Sequence, residues 1–261
     1  MTRLQVPADY IYGVTTLRDN VYVLCQSPSL LAVFRGQSPF DLLETVDIAV
    51  IRKPEDIGAS QRDVCLYISD SVGKCIWKKT RDQPMMWLSN VDWPFTLSVS
   101  GEGQVLIARK GQPSVMELYG HDSVLVQCIS MPTDIIDPLH CVQTTTGNLI
   151  VSHWWRDSVT EGVCELTCDG QIVRRFIGNG KSQELTFPRY LTLDSDDRIF
   201  VTDFDDNRVV MLDSDLSWIR VLLTKDVDAI EYPERLFFDK KKKQLMIGHV
   251  DGVDVYTLEF S

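Results

Sequence analysis

The chain has 261 residues, 44% of them hydrophobic, with a formal net charge of −11 and a pI near 4.8. That length allows one large buried core, while the acidity argues against bulk affinity for nucleic acid or acidic membranes. No apolar run approaches the length of a membrane span, and the N-terminal MTRLQVPADY lacks the basic-then-apolar order of a secretory signal. The cysteines are scattered and form no CxxC pair, which reads as reduced, mostly buried thiols in a cytoplasmic protein.

In chain order, a short run, Thr2–Val6, precedes a first unit with strands expected near Gly13–Leu17, Val21–Leu24 and Leu31–Phe34. A second unit begins at Pro54 and leads to CLYISD, ending at Asp70. A third begins at Pro94, turns at Gly101-Glu102-Gly103, and ends its second strand at Arg109. A fourth begins at Pro138 and reaches His153. There the stretch WWRDSVTE lengthens the turn, so Trp154, Trp155 and Arg156 are expected on an inserted loop. A fifth, Phe187 to Asp215, is the most regular. Its apolar runs Leu191–Leu193, Ile199–Val201 and Val209–Leu212 are separated by turns at Ser195-Asp196-Asp197 and Asp205-Asp206-Asn207, where short polar side chains bond nearby backbone. A sixth begins at Pro233, with strands near Arg235–Phe238, Gln244–Gly248 and Val253–Leu258 and a lysine run, Lys240–Lys243, on its first turn.

Four short antiparallel strands in about forty residues is one propeller blade, and a blade cannot bury both faces alone. The prolines recur at intervals of roughly 40–50 residues, giving six units of roughly 44 residues. The expected fold is all-β: a single six-bladed β-propeller over 1–261 with four-stranded antiparallel blades. The blades fall at about 10–48, 52–90, 93–131, 137–178, 187–224 and 232–258. The last is one strand short, and Thr2–Val6 is expected to complete it and close the ring, because an uncovered strand edge is a liability.

The recurring proline, small turn, V/I-x-V-[ST]-D, then Asn/Gly-Arg/Lys and apolar-x-apolar resembles NHL repeats. Those are six-bladed propellers at the C-terminal end of many tripartite-motif proteins and of the brain tumour protein. The resemblance is closest at Phe187–Asp215 and clear at Pro54–Lys78. It implies a recognition module. In a larger tripartite-motif protein it would be the substrate-recognition part of a ubiquitin ligase, but no Cys/His cluster with structural-zinc spacing stands in this sequence.

Three constellations invite a functional reading. Cys25, Asp70, Arg109, His153, Asp203 and His249 end the second strands and lie around one face, so Asp and His could hold a metal, or each could cap its own corner. The paired tryptophans with Arg156 have the composition of an interface hot spot. The basic residues Arg109, Lys110, Arg156, Arg189, Arg208 and Arg235, with His140 and Tyr190 at strand starts, resemble the face with which nucleic-acid-binding relatives hold single-stranded RNA. Carboxylates such as Glu55, Asp56, Asp203 and Glu234 crowd the same face. No GxSxG, HExxH or P-loop occurs.

The resulting expectation is a non-enzymatic protein-interaction scaffold, monomeric, without cofactor, metal or membrane partner. It binds a protein or peptide on a face made of Trp154, Trp155, Arg156, Arg109, His140, Arg189, Tyr190 and Arg235. An RNA-binding propeller is the alternative. A metal-dependent lactonase-type hydrolase, using Asp56 and His140 in the channel, is the second alternative. The Lys240–Lys243 run is expected to be a solvated hairpin on the opposite face.

Overall fold

The computed structural model describes residues 1–26, 28–109, 114–155, 161–176 and 183–259. Among these, the strands form six four-stranded antiparallel sheets, the blades of a closed β-propeller. Strand β1 (Thr2–Leu4) comes first. Blade one is β2 (Ile11–Leu17), β3 (Asn20–Gln26), β4 (Ser29–Arg35) and β5 (Leu42–Asp47). Blade two is β6 (Pro54–Ser60), β7 (Cys65–Asp70), β8 (Cys75–Lys79) and β9 (Met85–Ser89). Blade three is β10 (Pro94–Val99), β11 (Val105–Arg109), β12 (Val115–Tyr119) and β13 (Leu125–Ser130). Blade four is β14 (Ile135–Gln143), β15 (Leu149–Trp155), β16 (Glu161–Leu166) and β17 (Ile172–Arg175). Blade five is β18 (Pro188–Leu193), β19 (Ile199–Asp203), β20 (Arg208–Leu212) and β21 (Trp218–Thr224), followed by the single turn α1 (Lys225–Asp228). Blade six is β22 (Arg235–Asp239), β23 (Gln244–His249) and β24 (Gly252–Thr257), with β1 outermost.

The core lies between blades. One apolar cluster packs blade one on blade two through Leu24, Leu31, Ile57 and Ile68, and equivalent clusters join each following pair. The last cluster brings Met246, Val253 and Val255 of blade six against Val14, Val23 and Phe34 of blade one, with Leu4 of β1 among them. Two-sided burial explains why the middle strands read as nearly continuous apolar runs, and why outer strands such as β5 and β9 are largely exposed.

The repeated [ST]-D signature has a local cause. Most inner strands open with a register shift against the second strand, for example between Pro54 and Asp56 and between Pro188 and Leu191. Such a bulge frees a backbone N–H, and the hydroxyl of the second strand takes it: Tyr190 N donates to Thr202 Oγ1 at 2.9 Å and His140 N to Ser152 Oγ at 3.1 Å. The Asp that follows clamps the loop entering the inner strand. Asp70 accepts from Arg52 N at 3.0 Å, Lys53 N at 3.1 Å and Gly73 N at 2.8 Å. Asp203 accepts from Thr186 N at 2.9 Å and Phe187 N at 2.8 Å. Asp70 and Asp203 thus serve their own corners. His249 continues the pattern, with Nε2 3.1 Å from Asp254 Oδ2 and Nδ1 accepting from Asp251 N at 3.3 Å.

The tryptophan pair is not on a loop. Trp155 and Trp154 sit in β15 opposite Ile135 and Ile136 of β14, so the ladder is longer here than the unit spacing suggests. Their side chains, and Arg156, lie outside the described residues.

β1 pairs with β24, Thr2 opposite Val255 and Leu4 opposite Val253. Between them, Arg3 holds the buried Asp254 carboxylate in a two-pronged pair, Nε to Oδ1 at 2.8 Å and Nη2 to Oδ2 at 2.9 Å. Burial alone would raise Asp254, but the hydrogen bonds from His249 and Arg3 outweigh it and hold the group below its ordinary value. Removing one partner of such a pair strands a buried charge. Arg3→Ala is therefore expected to lower stability by about 2–4 kcal/mol, read as the urea midpoint. An unchanged midpoint would show that β1 contributes no support to Asp254.

Candidate active site

The inner strands of all the blades surround a central cavity of about 820 Å³. Its walls are the inner strands themselves, including Thr15 and Thr16 of β2, Gly58 of β6, Leu97 and Val99 of β10, Val142 of β14 and Phe237 of β22. Turn residues between inner and second strands also line it: Arg18, Asp19, Gln61, Gly101, Lys240 and Lys241, all exposed. The mouth therefore lies on the turn side. At the opposite end, where the inner strands begin, the lining consists of Asp56, His140, Tyr190 and Arg235, all buried. These four form the floor.

Each floor residue is placed by backbone. Asp56 follows the bulge of β6, and its carboxylate accepts from Ile57 N at 2.9 Å and, across to blade three, from Leu97 N at 3.0 Å. Gly13 lets blade one approach at this level, since a Cβ there would lie 2.5 Å from Ile57 Cγ2 and 3.4 Å from Asp56 Oδ1. His140 and Tyr190 are fixed through the hydroxyl-bound bulges described above, and their rings lie 4.6 Å apart. Arg235, only 4% exposed, donates Nε to Tyr12 O at 2.6 Å and Nη2 to Glu55 O at 3.1 Å, and its guanidinium stacks 4.1 Å from the Tyr190 ring centroid.

The electrostatics follow from burial around one fixed cation. Burial pushes the Asp56 carboxyl up to about 7, against the opposing pull of the Arg235 charge and the two backbone N–H bonds. Burial, and then the same Arg235 charge, push His140 down to about 3. The imidazole is therefore neutral. Leu191 N donates to its Nδ1 at 3.3 Å, which leaves the ring proton on Nε2. Burial likewise drives the Tyr190 phenol well above its ordinary value, and among the described residues its hydroxyl is buried without a hydrogen-bond partner. Near neutral pH the floor thus holds a guanidinium, a carboxyl close to half ionised, and two neutral donors. That set can move a proton and stabilise a developing oxyanion.

It does not fit a metal. Among the described residues no group of three His, Cys, Asp or Glu side chains converges. At the floor, the nitrogen of His140 that could ligate at Nδ1 already accepts a backbone N–H, and the place beside Asp56 is taken by the positive charge of Arg235.

The residues singled out from the sequence separate into groups. His140, Tyr190 and Arg235 come together in the floor, buried, rather than on an outer binding face. Arg189 lies outside the cavity, pairing with Glu234 at 2.6 Å and stacking on Phe187 and Phe204. Arg109 is farther out, held by Glu117 at 2.6 Å. Arg208 is held by Asp203 at 2.7 Å and Asp206 at 2.9 Å. With these arginines each matched to a carboxylate, they do not form a free basic track for phosphates. Sequence reasoning missed the mouth. Lys240 and Lys241, read as an idle hairpin, line its rim.

No family model matches the chain, and no curated protein matches it by sequence. Solved structures do match. One is a catalytically inactive His-to-Ala variant of virginiamycin B lyase from Staphylococcus aureus with quinupristin, at 12% identity and TM-score 0.70, covering 99% of each chain. A protein named as a candidate gluconolactonase matches at 12% identity and TM-score 0.70, covering 99% of this chain and 93% of its own. A Kuenenia stuttgartiensis hydrazine synthase chain matches at 12% identity and TM-score 0.68, covering 100% of this chain and 99% of its own. The class these matches and the topology establish is the six-bladed β-propeller, and none of the three is an NHL or tripartite-motif protein. The expectation of a non-enzymatic chain is corrected here. Whole-length matches of this architecture carry the names of a lyase, a lactonase and a synthase, so the fold supplies no reason to set catalysis aside.

The two shifted groups make opposing contributions to stability. Folded Asp56 keeps its proton to about 7, whereas an unfolded Asp loses it near 3.8. The folded state then binds more protons in that window, and stability falls as pH rises. Folded His140 gives up its proton at about 3, against 6.5 when unfolded, so stability rises with pH across that window. Each slope approaches ~1.4 kcal/mol per pH unit, and where the windows overlap they offset one another. Asp56→Asn should therefore leave a protein that loses stability steeply on acidification from about pH 6.5, while His140→Gln should gain stability on the same change. Denaturant midpoints across pH 4–7 for the two variants check this. Parallel profiles would refute the assignment.

Proposed function

We propose that the chain is an enzyme whose active site is the channel floor, carrying out metal-independent acid–base chemistry on a small carbonyl compound of the ester or lactone class. The observation that carries this reading is the convergence of Asp56, Arg235, His140 and Tyr190, all buried, at the closed end of an otherwise open cavity. A volume of about 820 Å³ suits a small organic ligand. Carboxyl groups poised near the working pH are what proton transfer requires.

In the hydrolytic form, the Asp56 carboxylate takes a proton from water as the water oxygen bonds to the substrate carbonyl carbon. The carbonyl oxygen gains charge against the Arg235 guanidinium, the His140 Nε2–H and the Tyr190 hydroxyl. The Asp56 carboxylic acid then returns the proton to the departing alkoxide, so that one water is consumed and an acid and an alcohol are released. The candidate gluconolactonase with the same fold supports this branch. The match to a protein named as a lyase supports an elimination branch. There the same carboxylate would take a C–H proton beside the carbonyl, and the leaving oxygen would depart with its bonding pair.

The test is turnover of a panel of aromatic esters, sugar lactones and cyclic depsipeptides by wild type and Asp56→Asn, each pretreated with chelator. At least one substrate class should be consumed above the blank. The rate should rise as pH increases through about 7, where Asp56 becomes the base. Asp56→Asn should lower it by about 10²–10⁴-fold with its fold retained. The absence of an unsaturated product distinguishes hydrolysis from elimination. Failure of wild type on the whole panel, or equal rates in Asp56→Asn, would sink the proposal.

A further inference from the structure

The face on which the inner strands begin carries a second, smaller cavity of about 300 Å³, separate from the channel mouth. Its walls include Asp9, Tyr10, Phe204, Tyr232, Glu234 and His249. The three aromatic residues come from three blades. Tyr10 leads into β2, Phe204 follows β19, and Tyr232 precedes β22. The Phe204 and Tyr232 rings stand 5.3 Å apart at 40°, two adjoining walls of a box. Tyr10 and Tyr232 remain 61% and 44% exposed, although closing the rings on one another would bury that surface.

The turn that presents Tyr232 belongs to the repeat, since the residue before the blade proline is also left-handed at Trp93 (φ 48°) and Asp137 (φ 46°). Tyr232 has φ 50°, in the left-handed region that side chains with a Cβ rarely adopt. Its N–H is tied there by Asn207 Oδ1 at 2.7 Å.

Two carboxylates, Asp9 and Glu234, stand in the pocket lining. Glu234 is partly balanced by Arg189 and Arg235, the latter at 3.7 Å. Asp9 makes no hydrogen bond or ion pair among the described residues. His249 is engaged at both nitrogens, by Asp254 and by the Asp251 N–H, and adds a wall without a free donor. Just outside the pocket the Arg189 guanidinium lies 4.6 Å from the Phe204 ring centroid, so this aromatic group already holds one cation. Aromatic faces with a nearby carboxylate favour a weakly hydrated cation.

We propose that this pocket binds a quaternary ammonium group, either the trimethylated ammonium of a lysine side chain or that of a small free cation. The site does not depend on the channel chemistry. Its test is titration of the full chain with choline, with a trimethyllysine-containing peptide, and with 3,3-dimethylbutanol, the neutral isostere of choline, by calorimetry or chemical-shift change. Saturable binding of at least one of the two cations is expected, with the isostere at least about 10-fold weaker. Tyr10→Ala, at an exposed position that leaves the fold intact, and Tyr232→Ala should each weaken binding by about 10-fold, and Asp9→Asn by a smaller factor. Tighter binding of the peptide assigns the source to a protein tail, and tighter binding of choline assigns it to a free metabolite. Failure of both cations to saturate, equal binding of the isostere, or unchanged binding by Tyr10→Ala would overturn the proposal.

Discussion

The centre of the ring depends on one side chain. Arg235 stands on β22, whose pairing with β23 runs without the register shift that opens other inner strands. Its guanidinium reaches the carbonyls of Tyr12 and Glu55, the residues at the bulges of β2 and β6. Bulging removes those carbonyls from the ladder, and in a buried position an unpaired carbonyl costs about 1–3 kcal/mol. A planar guanidinium, with several donors in a fixed fork, satisfies both at once. It also covers the face of Tyr190. Blades one, two, five and six therefore meet on the same group. Its charge then acts on the chemistry, restraining Asp56 and helping to keep His140 neutral.

Away from the centre the same logic is repeated with weaker groups. Each blade must turn its chain from the outer strand of one unit to the inner strand of the next, and the backbone N–H groups of that loop need acceptors. Asp70 and Asp203 supply them, while Ser152 and Thr202 take the N–H groups freed by the bulges. The polar residues of the motif therefore do structural work within each blade. The apolar clusters between blades then join these units into a ring without an exposed central edge.

This division explains what was legible in the sequence. The proline spacing and the [ST]-D ends could be read because corner chemistry is local and recurs in each unit. The floor could not be read in the same way. Asp56, His140, Tyr190 and Arg235 occupy related positions at inner-strand starts, yet they are four different residue types separated by long stretches of chain. A site formed by divergence of one repeated position carries no motif. Because the four types differ, the position offers no set of matching ligands, and that mixture is what places a carboxyl, two neutral donors and a cation together. The tryptophan pair misled for the opposite reason. A long gap between repeats looked like a loop, whereas β14 and β15 extend their ladder through Ile135 and Ile136. The lysine run at 240–243 looked like an ordinary charged turn, and only the ring geometry puts two of its members at the channel rim.

Because Arg235, Tyr190 and His140 close the channel at the end where the inner strands begin, the cavity is a cup and not a pore. A ligand that reaches Asp56 does so past Arg18, Lys240 and Lys241. The closed end keeps water from the second side, and that exclusion is what allows a carboxyl beside an arginine to remain protonated up to about 7. Beyond the closure lies Glu234, within 3.7 Å of Arg235 and 2.6 Å of Arg189, at the edge of the aromatic pocket. The two cavities are thus separated by a single layer of charge. The channel side of that layer is set by a guanidinium whose named bonds go to carbonyls, and the outer side by a carboxylate shared between two arginines. Opposite ligand charges suit the two sides: developing negative charge within the channel, and a cation on the outer face.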